Sequence, residues 1–523
     1  MLAYPLPANP SLEQLHKQAK EVRDRVRSGD PVKSALEARE MAVQLHPRWM
    51  GVAPLGAGWV AFTLADAQLV VARWYGFPSW RRLRDYVAVV DRFGRSPQRR
   101  PVNDAGLADE FLRLACLTHC SSFGFGPKAG EEGDDPRRRA EARRLLAAHP
   151  ELASASIHTA AAVGDVDAAR VLLAGDRSLA EREGGPHGWP PLLYLTFSRL
   201  NSTEANHSTL EVARLLLVNL ADPNAGYLPD GQPPPVTALS GAFRGYHDPV
   251  NQPAHPHRLA LARLLLDAGA DPNDARALQN VCGYPHDDDD AGLSLLLEYG
   301  LGRPSGGPWR SRLGTRLPTP AQLIQDQLRH AAGSNLVDRA RLLLRRCAET
   351  GIDIDAPREG PDAGTTAYEL AMIFGNTEIV DLLTPAGAQI TPLDPTFELV
   401  GACMRGDRPA VDRLLAADPG LAERTVHTPW WPDPLTQAAA LNRPNAIELL
   451  VSVGFPVNDG KVSALHIAAL TGHLDVVRLL VDLGSDPTAE AVSDTPGTPV
   501  QWARYTNQQE VIAYLTRVID AAS

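Results

Sequence analysis

Cysteine is scarce in this chain: five residues in 523, at positions 116, 120, 282, 347 and 403. An odd, scattered set of that size makes no disulfide framework, and no two of them form a Cys-x-x-Cys pair. Long apolar runs are missing as well. None approaches the roughly 20 residues needed to cross a bilayer. Met1-Leu2-Ala3-Tyr4-Pro5-Leu6-Pro7 lacks the basic segment and apolar core of a signal peptide, so a cytoplasmic protein without a membrane segment is expected. The signatures of catalysis are absent too: no Gly-x-Ser-x-Gly, no phosphate-cradling Gly-rich loop and no zincin helix. The reading is non-catalytic and without a cofactor, with an enzyme whose site lies in inserted loops as the alternative. Positive charge is in deficit, 51 Lys/Arg against 62 Asp/Glu, which argues against a protein devoted to nucleic acid. The deficit is uneven. Residues 1–100 hold 16 Lys/Arg and 9 Asp/Glu, so a basic head precedes an acidic body.

What the chain has in quantity is one recurring phrase. Its fullest copy runs Ser463-Ala464-Leu465-His466-Ile467-Ala468-Ala469-Leu470-Thr471-Gly472-His473, then Val476-Val477-Arg478-Leu479-Leu480 and Gly484. Equivalents of Leu465 stand at Leu112, Ile157, Leu192, Leu239, Leu278, Leu328, Tyr368, Leu399, Leu435 and Val500. Small residues follow three and four positions later, as in Ala160-Ala161, Ala402-Cys403 and Ala438-Ala439. A Gly or Asn then makes a turn (Gly164, Gly375, Gly406, Asn442, Gly472), and a Leu pair marks a second helix (Leu172-Leu173 through Leu479-Leu480). A phrase repeated at this spacing is the mark of a solenoid, in which no unit buries its apolar face alone.

From about residue 107 onward the chain resembles the ankyrin-repeat family, and the Leu-Leu-Ala-Ala-x-Pro-x-Leu-Ala variant at Leu145 and Leu414 resembles the bacterial style of these repeats. The resemblance implies an all-α fold: a solenoid of about ten to eleven units behind an N-terminal helical domain. It also accounts for several reactive-looking residues. Cys116, Cys282 and Cys403 take the second small position of the first helix, where a thiol acts as a small hydrophobe. His158 and His466 take the family's helix-start position, where the ring ties the turn to its neighbour.

The expected organisation is a helical head or cap at 1–105, a repeat stack with inserted loops at 106–300, a Pro/Gly-rich seam at 301–322, and a second stack at 323–523. In the head, Leu12, Leu15, Ala19 and Val22 form a helical stripe. Thr63 is placed to cap one helix, Gly76 to break it, and Ser79 to cap the next. The phrase from Ala72 to Trp80 resembles a helix-turn-helix, which would put Arg81, Arg82 and Arg84 on a helix facing nucleic acid. Against that, the apolar residue expected six positions after Gly76 is Arg82. A plain helical cap is the competing reading.

Insertions between first and second helices fall at 121–136, 198–208 and 246–257, with a rewritten 283–292 in the same place. These loops carry His247, His255, His257, His286 and Asp248, a donor set suited to a divalent cation, although no spacing is diagnostic and a solvated edge is the alternative. The fingers between units carry tryptophan in two places, His187-Gly188-Trp189-Pro190 and His427-Thr428-Pro429-Trp430-Trp431. Trp is favoured at interaction hot spots, so Trp189, Trp430, Trp431, His187 and His427 are the expected contacts to another protein, with packing between adjacent fingers as the alternative. Taken together, the sequence points to a monomeric scaffold that binds a protein partner in its concave groove. A nucleic-acid-linked regulator or a small-molecule or metal-binding protein are the alternatives.

Overall fold

The computed structural model describes residues 4–7, 10–28, 33–55, 57–99, 106–118, 131–200, 205–245, 248, 250–282, 290–356, 365–430, 432–458, 462–492 and 496–522. The chain forms two compact units. The first comprises Met1–Pro97, Gly226–Thr237 and Gly306–Leu317; the second comprises Gln98–Ala225, Ala238–Ser305 and Pro318–Ser523.

The first unit is built on four helices: α1 (Leu12–Arg27), α2 (Lys33–Leu45), α3 (Leu64–Trp74) and α4 (Trp80–Phe93). The stripe on α1 buries Leu15, Ala19, Val22 and Val26, as a spacing of three to four residues requires. The Thr63 side chain accepts from Asp66 N at 3.2 Å, and the Asp66 carboxylate accepts from Thr63 N at 2.7 Å. These two bonds satisfy two otherwise orphaned groups at the start of α3. The other Asp66 oxygen lies 3.1 Å from His46 Nε2, while His46 Nδ1 accepts from Arg48 N at 3.1 Å. That arrangement fixes the ring proton on Nε2. Gly76, at φ +78°, turns the chain between α3 and α4, and the Ser79 side chain accepts from Arg82 N at 3.3 Å. Arg39 is buried, and its guanidinium reaches the carbonyls of Val26, Ser28 and Pro54 at 2.6–2.9 Å.

Two later segments complete this unit. Strands β1 (Gly94–Arg95), β2 (Gly226–Pro229) and β3 (Val236–Thr237) form a small sheet, with β1 parallel and β3 antiparallel to β2. The described residues are otherwise mostly helical, as the all-α expectation has it, and this small sheet is an addition to it. Helix α5 (Pro308–Leu313) lies in the stretch expected to be a seam. Its Trp309 and Leu313 are buried in the same core as α1, α3 and α4. The Trp309 ring meets Phe93 edge-on at 5.1 Å, and the Arg312 guanidinium lies within 5 Å of both rings. Arg316 covers Phe77 at 4.1 Å and donates to Tyr75 O at 2.6 Å. The Pro and Gly residues at 301–320 therefore frame a helix with an apolar face.

The second unit is a succession of helix pairs. Neighbouring first helices pack on each other: Ile157–Val163 on Pro191–Phe197, Pro434–Ala440 on Ala464–Thr471, and Ala464–Thr471 on Pro499–Tyr505. Their small residues lie at the contacts, with Ala160, Ala402, Cys403, Ala438, Ala439, Ala468 and Ala469 almost fully buried. In the Leu pairs the second residue goes inside and the first is half-buried at 172–173, 215–216, 264–265, 382–383 and 479–480; at 414–415 both are half-buried. Turns after the first helix need a left-handed residue. Gly472 supplies it at φ +80°, and Asn442 takes the same place in the preceding unit at φ +54°. His466 Nε2 lies 3.0 Å from Gly497 O, and His158 Nε2 lies 2.8 Å from Arg182 O. The helix-start histidines thus tie one unit to the backbone of the next finger.

Because Trp309 and Leu228 are part of the first unit's core, Trp309→Ala should destabilise it by about 3–5 kcal/mol. A fragment of residues 1–105, which lacks α5, β2 and β3, should show no cooperative thermal transition by circular dichroism. A sharp transition in that fragment would mean that the two later segments are dispensable.

Candidate functional site

The first tryptophan finger does not present its ring. His187 and Trp189 were expected to face a partner, yet they are 7% and 1% exposed. The cause is Tyr194 on the following first helix. Its hydroxyl donates to Gly184 O at 2.9 Å and accepts from His187 N at 3.1 Å. Gly184 and Trp189 bond each other's backbone in both directions, which closes the finger. The Trp189 ring then packs on Tyr194 and Phe197 at 5.3 and 5.4 Å. Burial pushes the His187 imidazole down to about 3.

The second finger is different. Trp430 is half-buried; its Nε1 donates to Thr425 O at 2.8 Å and its ring rests on Phe397 at 5.3 Å. His427 is exposed at the end of the helix Leu421–His427, its Nδ1 2.7 Å from Glu423 O. Trp431 lies outside the described residues. Two other fingers carry apolar residues that sequence reading passed over: Ile390 is 65% and Val492 72% exposed.

Along the edge of inserted loops, the described parts of 121–136, 198–208 and 246–257 are drawn together by arginines rather than histidines. Arg199 is fully buried and donates to the carbonyls of Thr196, Ser198, Gly241 and Pro253 at 2.8–2.9 Å. Burial lowers its pKa to about 9. Arg139 reaches Asp134 O and Asn251 O, and Arg143 reaches Leu200 O and Arg199 O, all at 2.9–3.1 Å. The buried Asp134 carboxylate accepts from Thr118 N at 2.9 Å and from Gln252 Nε2 at 2.8 Å. Irregular loops have carbonyls with no ladder partner, and the five donors of a guanidinium satisfy several at once. The signal was present in the sequence as Arg138-Arg139, Arg143 and Arg199 beside the insertions.

The histidines of this edge do not converge on a point. His255 is buried, and its Nδ1 accepts from His257 N at 3.1 Å; His257 is exposed, and the two rings are 5.8 Å apart. Asp248 is occupied by Asn251 N and Nδ2 and by the Tyr505 hydroxyl at 2.6 Å. His247 and His286 lie outside the described residues. Among the described residues no group of three or more His, Cys, Asp or Glu could hold a metal ion.

Arg81, Arg82 and Arg84 are exposed on α4, beside the buried Leu83, Tyr86 and Val87. Asp85 lies 3.8 Å from both Arg81 and Arg84. Cys116, Cys282 and Cys403 are buried, which pushes each thiol up to about 12. Cys120 lies outside the described residues. A cavity of about 500 Å³ that the sequence did not announce opens at Gly375, Thr377, Arg405, Gly406, Arg443 and Asn445. It spans the turns between first and second helices of three consecutive units.

Burial holds His187 and His255 near pKa 3 and His330 near 4, against an ordinary value of 6.5. The unfolded chain therefore takes up protons first, and stability falls as pH drops below about 6.5. Each ring should cost about 2 kcal/mol at pH 5. The urea midpoint of the full chain should thus fall between pH 7.5 and 5. Replacing His255 by Asn, whose carbonyl can still accept from His257 N, should flatten that slope; an unchanged slope would refute the assignment of a neutral buried ring.

Residues 399–491 match the family model of ankyrin repeats, in three copies. No curated protein matches the chain. Among the described residues no helix is long and apolar enough to cross a membrane. The matched stretch contains stacked helix pairs, left-handed turns and the His466 tie described above, and residues 399–491 are ankyrin repeats.

Proposed function

We propose that the chain is a non-catalytic scaffold, monomeric and cytoplasmic, that binds a protein partner in the concave groove lined by first helices and finger tips. Ankyrin repeats generally mediate protein–protein interaction, and a rigid stack that presents apolar tips suits that role. The observation that carries the reading is the set of tips at Ile390, Trp430 and Val492. Two are largely exposed and one is held half-buried by a hydrogen bond and a ring contact. His427, exposed beside Trp430, belongs to the same set, and Trp431 follows them in the sequence. An interface of ordinary size would bury about 1,600 Å² in total.

The test is crosslinking and pull-down with the full chain, comparing wild type with a variant carrying Ile390→Asp, Trp430→Ala and Val492→Asp. The variant should keep its helical spectrum and lose the captured protein. Equal capture by both would remove the groove from consideration.

A second reading rests on the exposed Arg81, Arg82 and Arg84, in a head where Lys and Arg outnumber Asp and Glu. Nucleic acid held there would bind through phosphates, so its affinity should fall steeply with salt. Anisotropy titrations of the full chain with a labelled duplex at rising salt should show that slope, and Arg81→Gln with Arg82→Gln should flatten it. A salt-independent signal would discard this reading.

A further inference from the structure

Among the described residues, the 500 Å³ cavity at the repeat turns is lined by two arginines and by no acidic residue. This is unexpected for its surroundings, since residues 101–523 hold 35 Lys/Arg against 53 Asp/Glu. Arg443 is half-buried, and its donors go to neutral acceptors: Phe374 O, Met404 O at 3.4 Å and Asn376 Oδ1 at 2.7 Å. Asn376 is itself fixed by its Nδ2, which donates to Ala332 O at 2.6 Å. The guanidinium is therefore held rigidly at the cavity wall, and among the described residues no carboxylate pairs with it. Burial lowers its pKa. Neutral acceptors offset only part of the hydration such a cation loses, so an anion entering the cavity would be favoured there.

Arg405, on the same wall, is exposed, and among the described residues it enters no ion pair. One cation is thus preorganised and the other is free to close on a ligand. Thr377 and Asn445 supply neutral polar groups around them, and the almost fully buried Met404 and Ala446 form an apolar floor. The helix Pro444–Val453 starts at this wall. Pro444 has no N–H, and Arg443 makes no side-chain cap, which leaves the first turn's remaining donors to add to the positive field.

We propose that this cavity is a binding site for a phosphorylated small molecule, its phosphoryl oxygens held between Arg405 and Arg443 and its organic part over Met404 and Ala446. The volume falls within the range of small-ligand pockets and exceeds what inorganic phosphate alone would fill. Guanidinium groups suit the ligand because their forked donors match phosphate oxygens. The site is separate from the finger tips, so its occupancy is measurable without a protein partner.

The experiment is calorimetric titration of the full chain with pyrophosphate, with succinate as a carboxylate control at matched ionic strength. Saturable pyrophosphate binding with a dissociation constant of about 1 mM or tighter is expected. Arg405→Gln, at an exposed position, should weaken it about tenfold while the circular dichroism spectrum stays unchanged. Arg443→Lys, which keeps the charge but loses the fork, should weaken it too. No saturable binding, equal affinity in Arg405→Gln, or tighter binding of succinate than of pyrophosphate would each overturn the assignment.

Discussion

Everything in the second unit depends on one steric requirement: first helices of adjacent repeats must approach closely enough to share a dry interface. Alanine and cysteine at the contact positions permit that approach, and the near-zero exposure of Ala402, Cys403, Ala438, Ala439, Ala468 and Ala469 is its result. Once the helices are that close, the left-handed turns, the inward second Leu and the histidine ties follow as ways of closing each unit onto the next. A larger side chain at any of these positions would push apart two repeats, and the displacement would be passed along the stack because each unit is supported only by its neighbours.

A second theme is the use of arginine as a backbone partner. Arg39, Arg139, Arg143, Arg199 and Arg443 all spend their donors on carbonyls. In the inserted loops this replaces the regular ladder that irregular backbone lacks. The chain thus holds several cations whose role is geometric, which is why counting charges along the sequence misleads about its surface. The same habit leaves Arg443 rigid, charged and, among the described residues, without a carboxylate partner at the wall of a cavity.

Much of the local structure was legible from the sequence. The anchor phrase, the Gly and Asn turns, the Thr63 and Ser79 caps and the structural assignment of Cys403 and His466 all rest on interactions within a few residues or within one repeat. What was not legible depends on distant partners. Trp189 is buried because Tyr194 closes its finger, and neither residue alone indicates which way the ring will turn. Residues 301–320 read as a break because Pro and Gly dominate them, yet Trp309 and Leu313 had a core to join that begins some 300 residues earlier. The cavity arises from turns of three units, each of which reads as ordinary by itself. The edge histidines were singled out for their chemistry, but the burial of His255 and the bond it accepts from His257 N decide its state.

The chain passes between its two compact units five times, at 97/98, 225/226, 237/238, 305/306 and 317/318. In an ordinary tandem arrangement a single linker separates domains, and evolution or an engineer can move one without the other. Here neither unit corresponds to a continuous stretch of gene. No single cut leaves both whole, and during synthesis the first unit waits for residue 317 before its core is complete. The first unit is in that sense a joint product of three separated stretches of coding sequence, so a truncation anywhere before residue 317 takes part of its core with it.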